Sequence, residues 1–209
     1  MSWKKEISQI KLREKLAKQQ GGSEAVKVQH DKGRLTLRER IDLLLDKDSF
    51  DEIGKVAGGA EYDDEGNLLS LTPANFILGF GKIEGQDVIV GGEDFTVKGG
   101  SPNAAGLRKS VYTEDLAVKH KFPLVRLHEG GGGSVAGPSK EKKGYGGDPV
   151  FARSRFKSVA QTLKEVPVVS AALGPVAGLP ASRFVGSHFR IMVKAVSYTH
   201  LRAHETETN

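Results

Sequence analysis

The 209-residue sequence predicts an α/β domain whose sheet begins antiparallel and continues mainly parallel. Residues 75–83 and 87–95 are rich in β-branched and aromatic side chains, and the link Glu84-Gly85-Gln86 between them predicts a hairpin. Two later apolar strands, at 123–127 and 166–173, are each followed by a glycine loop and a helical pattern, which is typical of parallel strands with crossover helices. Both glycine loops are therefore expected at the carboxyl edge of the sheet, where open α/β proteins bind ligands.

The N-terminal part predicts two helices followed by a loop. Residues 3–20 form an amphipathic helix that ends at Gly21-Gly22 and docks on the rest of the domain or on a partner subunit. A second helix is expected over 36–45, where Thr36 and Glu39 have the spacing of a capping box. Residues 54–72 mix glycine with acidic residues and are expected to form a solvated loop, because the acids lack a recognisable metal-ligand spacing.

Three further helices are expected after the hairpin. The first runs over 103–120, and its N-terminus either offers free N–H groups to an anion or is simply capped by Ser101 or Asn103. The other two are expected over 150–163 and from about Pro180 onward, with a polar loop over 134–149.

Composition narrows the function classes. The chain is 38% hydrophobic and 27% charged with 26 glycines, which fits a globular α/β protein. Cysteine is absent, which excludes disulfides and thiolate metal sites and is compatible with a reducing cytosol. The net charge is +5, but basic and acidic residues are mixed, so a phosphate-bearing substrate fits as well as nucleic acid. No apolar run reaches membrane-spanning length, and the lysine-rich N-terminus lacks a secretory signal core.

The most informative motif is the tetraglycine segment 130–133, which follows a predicted strand and the pair His128-Glu129. Backbone N–H groups without shielding side chains approach a bound group closely and donate to developing negative charge, which is the physical form of an oxyanion hole. Taken alone, the segment is explained more simply as a flexible surface loop.

The C-terminal tail differs in character from the rest. Residues 197–209 are polar and aperiodic, and they resemble translated sequencing-adapter read-through, so we expect residues 196–209 to be non-native. His200 and His204 have a spacing that would suit a metal on a helix, with Glu205 beside them, but we reject that interpretation for the same reason.

Four segments together resemble the β subunits of biotin-dependent acyl-CoA carboxylases, such as propionyl-CoA and methylcrotonoyl-CoA carboxylases. They are GRLTLRERIDLLLD at 33–46, EDFTVKGGS at 93–101, the glycines at 130–133 and GPVAG at 174–178. Their order and spacing agree with the family over residues 27–195. Each segment alone is a weak signal, and the four together are a strong one.

The resemblance implies a crotonase-like fold of repeated β-β-α units, truncated here and preceded by N-terminal helices. Residues 1–32 would be a helix and linker, 33–195 a partial N-terminal carboxyltransferase domain, and 196–209 the tail. Family members are more than twice as long and carry a second carboxyltransferase domain. Their active sites lie between domains of neighbouring subunits, so this chain alone is expected to be inactive.

The reaction implied is that of a ligase forming a C–C bond: carboxyl transfer from N-carboxybiotin to the α-carbon of an acyl-CoA. The biotin would be carried by a biotin carboxylase/biotin carrier subunit and not by this chain. The resemblance further implies a homo-oligomer without metal, nucleic acid or membrane partners. Its location would be the cytoplasm, or the mitochondrial matrix in a eukaryote.

The site residues implied by the resemblance are mostly glycines. Loss of the α-proton gives an enolate, and the family's oxyanion pair falls on the backbone N–H groups of Gly131 and Gly132. Substrate-binding positions fall on Gly99, Gly100, Lys109, Gly133, Ala177 and Gly178. Lys109 is expected either near the CoA phosphates or as a solvated surface lysine.

The sequence departs from the family at several positions. Ser134 replaces a family Arg, and Leu179-Pro180 replaces a Gly-Ala pair, which affects acyl preference because proline lacks an N–H donor. His128 and Glu129 replace a polar pair beside the oxyanion loop. Histidine is the usual general base, but decarboxylated carboxybiotin can supply the base in this family, so we expect both residues to be structural.

Two alternatives remain open. The chain is either a non-catalytic CoA-binding module or another crotonase-superfamily acyl-CoA enzyme, such as a hydrolase or isomerase. The second is disfavoured by the segment 36–46 and by the apparent lack of an acid–base carboxylate near the glycine loops. A nucleic-acid binder is a more distant alternative.

Overall fold

The computed structural model describes residues 3–101, 103–132, 155–194 and 198–199. The helices are α1 (Lys4–Ala17), α2 (Ser23–Asp31), α3 (Leu37–Leu44), α4 (Ala104–His120), α5 (Arg155–Glu165) and α6 (Leu179–Val185). The strands are β1 (Asp51–Glu52), β2 (Gly58–Tyr62), β3 (Leu68–Pro73), β4 (Phe76–Ile83), β5 (Gln86–Glu93), β6 (Leu124–Gly130), β7 (Val168–Ala177), β8 (Phe189–Met192) and β9 (Tyr198–Thr199).

The main sheet is mixed, as the sequence predicts. Its order is β1-β4-β5-β6-β7-β8, and β9 pairs with the end of β7. The pairs β1–β4 and β4–β5 are antiparallel, whereas β5–β6, β6–β7 and β7–β8 are parallel. Strands β5, β6 and β7 therefore run side by side in one direction, and their carboxyl ends share one edge. The strands β2 and β3 form a separate antiparallel hairpin.

The sheet is covered by helices on both faces, and successive side chains along its strands pack alternately against one face or the other. Ile77 and Val90 pack with α3 on one face, whereas Leu78 and Ile89 pack with α4 on the other. Because successive side chains of a strand point to opposite faces, continuous apolar strands are what a sheet buried on both sides requires. Apolar burial of this kind supplies most of the stabilisation, at roughly 25 cal/mol per Å².

Local signals in the sequence predicted most helices correctly. Thr36 and Glu39 form the expected capping box at the start of α3, with Thr36 N–H donating to Glu39 Oε2 at 2.7 Å. Asn103 caps α4 by accepting from Gly106 N–H at 2.7 Å. Pro180 stands in the first turn of α6, where its missing N–H costs nothing. The hairpin β4–β5 is confirmed over its whole length.

Three expectations were wrong. The loop expected at 54–72 contains the hairpin β2–β3, whose turn is held by Asp63 accepting from Asn67 N–H at 2.7 Å, and helix α2 was not expected at all. The expected second glycine loop is mostly strand, because β7 continues to Ala177 and Val176 pairs with Gly130. Gly130, the first residue of the tetraglycine segment, likewise ends β6 and does not belong to a loop.

Several expectations concern residues outside the described part of the chain. These are Gly133, the polar loop at 134–149, the first residues of the helix expected from 150, and the histidines at 200 and 204. That residues 196–209 are non-native also stays a prediction.

Candidate functional site

Three glycine-containing segments meet at the carboxyl edge of the parallel strands. The turn Lys98–Gly100 follows β5, Gly131 and Gly132 follow β6, and Gly178 follows Ala177 at the end of β7. Six of the predicted site positions therefore lie together, as the sheet topology requires.

Close backbone packing explains why position 100 is glycine and holds the next segment in place. Gly100 has a φ of +65°, and a Cβ there would lie 2.6 Å from the Glu129 carbonyl oxygen and 2.7 Å from Gly130 Cα. The Gly131 N–H donates to the Gly99 carbonyl oxygen at 2.9 Å, and Ser101 Oγ donates to the Gly132 carbonyl oxygen at 3.2 Å. The turn after β5 thus holds the segment after β6 directly.

Gly132 and Gly178 adjoin each other across the end of the sheet. A Cβ on Gly132 would lie 3.6 Å from Gly178 N and would meet no atom of the described residues closer than that. Among the described residues, and outside the strand ladders, neither the Gly132 N–H nor the Gly178 N–H donates to a backbone carbonyl. The Gly132 and Gly178 N–H groups are therefore neighbours at the carboxyl edge of the sheet, while the Gly131 N–H already donates to Gly99.

Lys109 lies apart from this glycine cluster. Lys109 belongs to α4, and its side chain is buried, with the residue only 9% exposed. Its Nζ donates to the Gly54 carbonyl oxygen at 3.3 Å. Burial lowers the pKa of Lys109 to about 8, although the Glu52 carboxylate acts in the opposite direction. The expectation of a solvated surface lysine is therefore wrong, and the structure does not bring Lys109 to the glycines.

A buried carboxylate–imidazole pair lies directly beneath the cluster. His128 Nδ1 and Glu93 Oε2 are 3.0 Å apart, and both residues are at most 5% exposed. Burial alone would raise the pKa of Glu93, but the charge and hydrogen bond of His128, with Arg183, hold it below its ordinary value. A Cβ on Gly130 would lie 3.1 Å from Glu93 Cγ, so the carboxylate borders the glycines. Sequence reasoning missed Glu93, and only its place at the end of a strand beside the predicted edge could have indicated it.

The side chains behind this pair form a second charged group. Arg126 Nη2 and Arg183 Nε both bind Glu114 Oε1, at 2.6 and 2.8 Å, and all three residues are buried. Burial lowers the pKa of Arg126 to about 10, with Glu114 opposing and Arg183 reinforcing the change. A narrow crevice between α4 and α6 is lined by Glu93, Gly100, Leu107, Leu179, Pro180 and Arg183. Polar groups therefore border this crevice beside the glycines.

Glu129 is also buried and paired. It binds Arg40 Nη1 at 2.6 Å and Arg34 Nη1 at 3.4 Å, and it accepts from Gln29 Nε2 at 2.8 Å. His128 and Glu129 both have internal partners, as the expected structural role requires.

Within the described ranges, no group of three or more His, Asp or Glu side chains is placed to hold a metal ion. In the same ranges, no helix has the length and apolar character needed to cross a bilayer.

Comparison with known proteins shows that the chain matches a carboxyl transferase domain family. The carboxyl transferase domain family matches residues 28–204. The propionyl-CoA carboxylase beta chain of Roseobacter denitrificans is 33% identical over 194 residues, which cover 92% of this chain and 36% of that protein. The methylmalonyl-CoA decarboxylase subunit alpha of Veillonella parvula is 31% identical over 188 residues, which cover 89% of this chain and 36% of that protein. The human mitochondrial propionyl-CoA carboxylase beta chain is 32% identical over 180 residues, covering 85% and 32%.

Solved structures share the fold. Transcarboxylase 12S, described as a hexamer assembly with methylmalonyl-CoA and methylmalonic acid bound, has a TM-score of 0.69 at 24% identity and covers 96% of this chain and 37% of its own. The beta subunit of P. aeruginosa geranyl-CoA carboxylase has a TM-score of 0.68 at 23% identity, covering 90% and 34%. These likenesses show the fold, and they confirm the expected crotonase-like architecture.

The chain spans about a third of the length of the curated relatives it matches. The family match nevertheless extends over most of this sequence and includes all three glycine-containing segments of the cluster. The chain belongs to the carboxyl transferase domain family.

Proposed function

We propose that this domain binds an acyl-CoA and serves a carboxyltransferase that moves a carboxyl group from carboxybiotin to the α-carbon of the thioester. The observation that carries the proposal is the pair of neighbouring backbone donors at Gly132 and Gly178. Carboxybiotin, borne by a partner subunit, supplies the carboxyl group. A Cβ on Gly132 would lie 3.6 Å from Gly178 N, so a side chain at Gly132 would stand directly beside the second donor, and its absence fits the close approach that such a reaction needs.

The role of the backbone donors of this chain follows from the charge that develops on the thioester oxygen. When the α-proton leaves, negative charge develops on the thioester oxygen, and two fixed N–H donors stabilise it without reorganisation, by about 3 kcal/mol per donor. We assign this role to the Gly132 and Gly178 N–H groups in place of the Gly131–Gly132 pair that the resemblance implies. The reason is that the Gly131 N–H donates to Gly99. Gly131, with Gly99 and Gly100, would then fix the position of Gly132, and Ala177 would fix that of Gly178.

Substrate, partners and location are part of the same proposal. Relatives named as propionyl-CoA carboxylase beta chains and a structure with bound methylmalonyl-CoA support a short acyl-CoA as the ligand. The hexameric assembly described for the transcarboxylase supports a homo-oligomer. We further propose a biotin carboxylase/biotin carrier partner and a cytoplasmic location. Lys109 would contribute to CoA binding only if its segment rearranged, because its ammonium group is buried.

The donor pair is tested by calorimetry with this chain and two ligands. Propionyl-CoA carries the thioester carbonyl, whereas the thioether S-propyl-CoA lacks it. We expect propionyl-CoA to bind about tenfold more tightly, because the carbonyl oxygen accepts from both donors. Gly132→Pro removes one donor and should reduce this preference while leaving the affinity for free CoA unchanged. Equal affinities of the two ligands for the unaltered protein would contradict the proposal.

A second candidate, a crotonase-superfamily hydrolase or isomerase, is favoured by one observation. Contrary to expectation, a carboxylate does lie near the glycines, since Glu93 borders Gly130 and pairs with His128. Such an enzyme would exchange the α-protons of propionyl-CoA with D2O in the absence of biotin. Exchange that disappears in Glu93→Gln would support this candidate. Binding without exchange by this chain fits both the carboxyltransferase domain and the non-catalytic CoA-binding module.

A further inference from the structure

We infer that Glu129 is a positioning residue that fixes the backbone of the segment 130–132. This inference rests on the proposed function of Gly132, because it concerns how that donor is held in place. Glycine residues have no side chains with which to anchor themselves, and an unanchored glycine backbone has the greatest conformational freedom. Donors aimed at a developing charge must already be fixed before the reaction, so the anchor must come from a neighbouring residue.

The first observation is the convergence of three donors on one buried carboxylate. Arg40 comes from α3, Arg34 from the segment before α3, and Gln29 from α2, and the side chain they bind is only 1% exposed. A buried charge is tolerated only when it is paired and hydrogen-bonded. Elements far away in sequence are therefore tied to the residue that directly precedes the glycines.

The second observation concerns the opposite side of the carboxylate. His128 pairs with Ala172 and Gly130 with Val176, so β7 has two more residues than β6 between these positions and bulges there. Gly174 lies in this bulge, and a Cβ on it would overlap Glu129 Oε1. Arg40 Nη2 also donates to the Leu173 carbonyl oxygen at 3.4 Å. The bulge thus makes room for the Glu129 carboxylate. Arg40 binds this carboxylate and also the Leu173 carbonyl oxygen in the bulged strand.

The third observation connects the carboxylate with the site. The main chain of Glu129 packs against Gly100, whose Cβ would lie 2.6 Å from the Glu129 carbonyl oxygen. Gly131 is in turn held by Gly99 at 2.9 Å. Glu129 is consequently held on its side chain by Arg40 and on its backbone by the turn after β5. Releasing the side chain removes the attachment through Arg40 and leaves the segment 130–132 held by the turn after β5 and by the pairing of Gly130 with Val176.

The test uses two variants that disturb the same contact differently. Glu129→Gln keeps the size of the side chain and removes its charge, whereas Gly174→Ala keeps the charge and displaces the carboxylate. For both we expect hydrogen exchange of the Gly131 amide, which donates to the Gly99 carbonyl oxygen, to rise about tenfold and propionyl-CoA affinity to fall about tenfold or more, since small displacements of fixed groups have large effects. Glu165→Gln, which removes a surface ion pair with Lys121, is the control and should change neither.

The outcomes separate positioning from a purely structural role. A lower melting temperature with unchanged exchange of the Gly131 amide and unchanged affinity would overturn the inference. If the unaltered protein does not bind propionyl-CoA, the proposed function fails, and the exchange measurement still decides whether Glu129 fixes the glycine segment.

Discussion

Replacing Lys109 by methionine should stabilise the protein at neutral pH, and the gain should fade in alkaline solution. Its pKa of about 8 in the folded protein compares with an ordinary value of 10.5, and burial is the main cause. Between these two values the unfolded chain binds more protons than the folded one, so stability rises with pH across this window. Below pH 8 the whole penalty of burying the charge is present.

The size of the expected gain in stability follows from the same two pKa values. One tenfold change in proton affinity corresponds to about 1.4 kcal/mol, so the full difference is about 3 kcal/mol near pH 7. Methionine gives up the hydrogen bond to Gly54, which is worth about 1 kcal/mol. We therefore expect Lys109→Met to gain about 2 kcal/mol at pH 7 and close to nothing at pH 10.

Urea unfolding at pH 7, 8.5 and 10 measures this difference. Lys119→Met, on the same helix but at an exposed position, is the matched control and should have little effect at any of these pH values. A Lys109→Met variant less stable than the unaltered protein at pH 7, or a gain independent of pH, would refute the reasoning. The lysine would then face solvent, where a CoA phosphate could reach it.

Two further predictions concern the glycine cluster. Gly100→Ala should lower the free energy of unfolding by about 3 kcal/mol or more, because the new Cβ meets backbone atoms. Gly99→Ala, with a similar φ but with Phe95 at 4.0 Å as the nearest described neighbour of its Cβ, should cost only about 1 kcal/mol, and equal costs in urea unfolding would contradict the packing described. The lowered pKa of Glu93 gives stability that is present above its ordinary value of 4.5 and lost as the pH falls through the lower folded value. Glu93→Gln should therefore lose less stability than the unaltered protein between roughly pH 5 and pH 3 in thermal unfolding, and an identical acid sensitivity would count against the ion pair.

Features carried by neighbouring residues could be predicted from the sequence. The capping box at Thr36 and the hairpin around Gly85 depend on contacts within a few residues, and both are confirmed. The glycine cluster could also be predicted, because parallel strands bring their carboxyl ends to one edge. Helix α2 was missed because it is largely polar, with Gln29 its one buried residue.

The charge pairs could not be predicted, for a physical reason. Glu93 and His128 lie 35 positions apart, and Gln29 and Glu129 lie 100 apart, so no local pattern joins them. The extension of β7 beyond Leu173 could not be predicted either, because it depends on pairing with strands distant in sequence. A glycine followed by proline usually marks a turn, but here pairing with β6 and β9 keeps the bulged segment within the strand.

The parallel order of β5, β6 and β7 has a consequence for how the site comes into being during folding. No two of its three glycine-containing segments are joined by a short turn, because α4 separates the first two and α5 lies between the second and third. The chain must lose the conformational entropy of closing these long loops before the strands can make stabilising contacts. Parallel pairing is therefore slow. The hairpin β4–β5 needs no such closure. We therefore expect the hairpin to form early and the donor pair of Gly132 and Gly178 to be among the last features to appear.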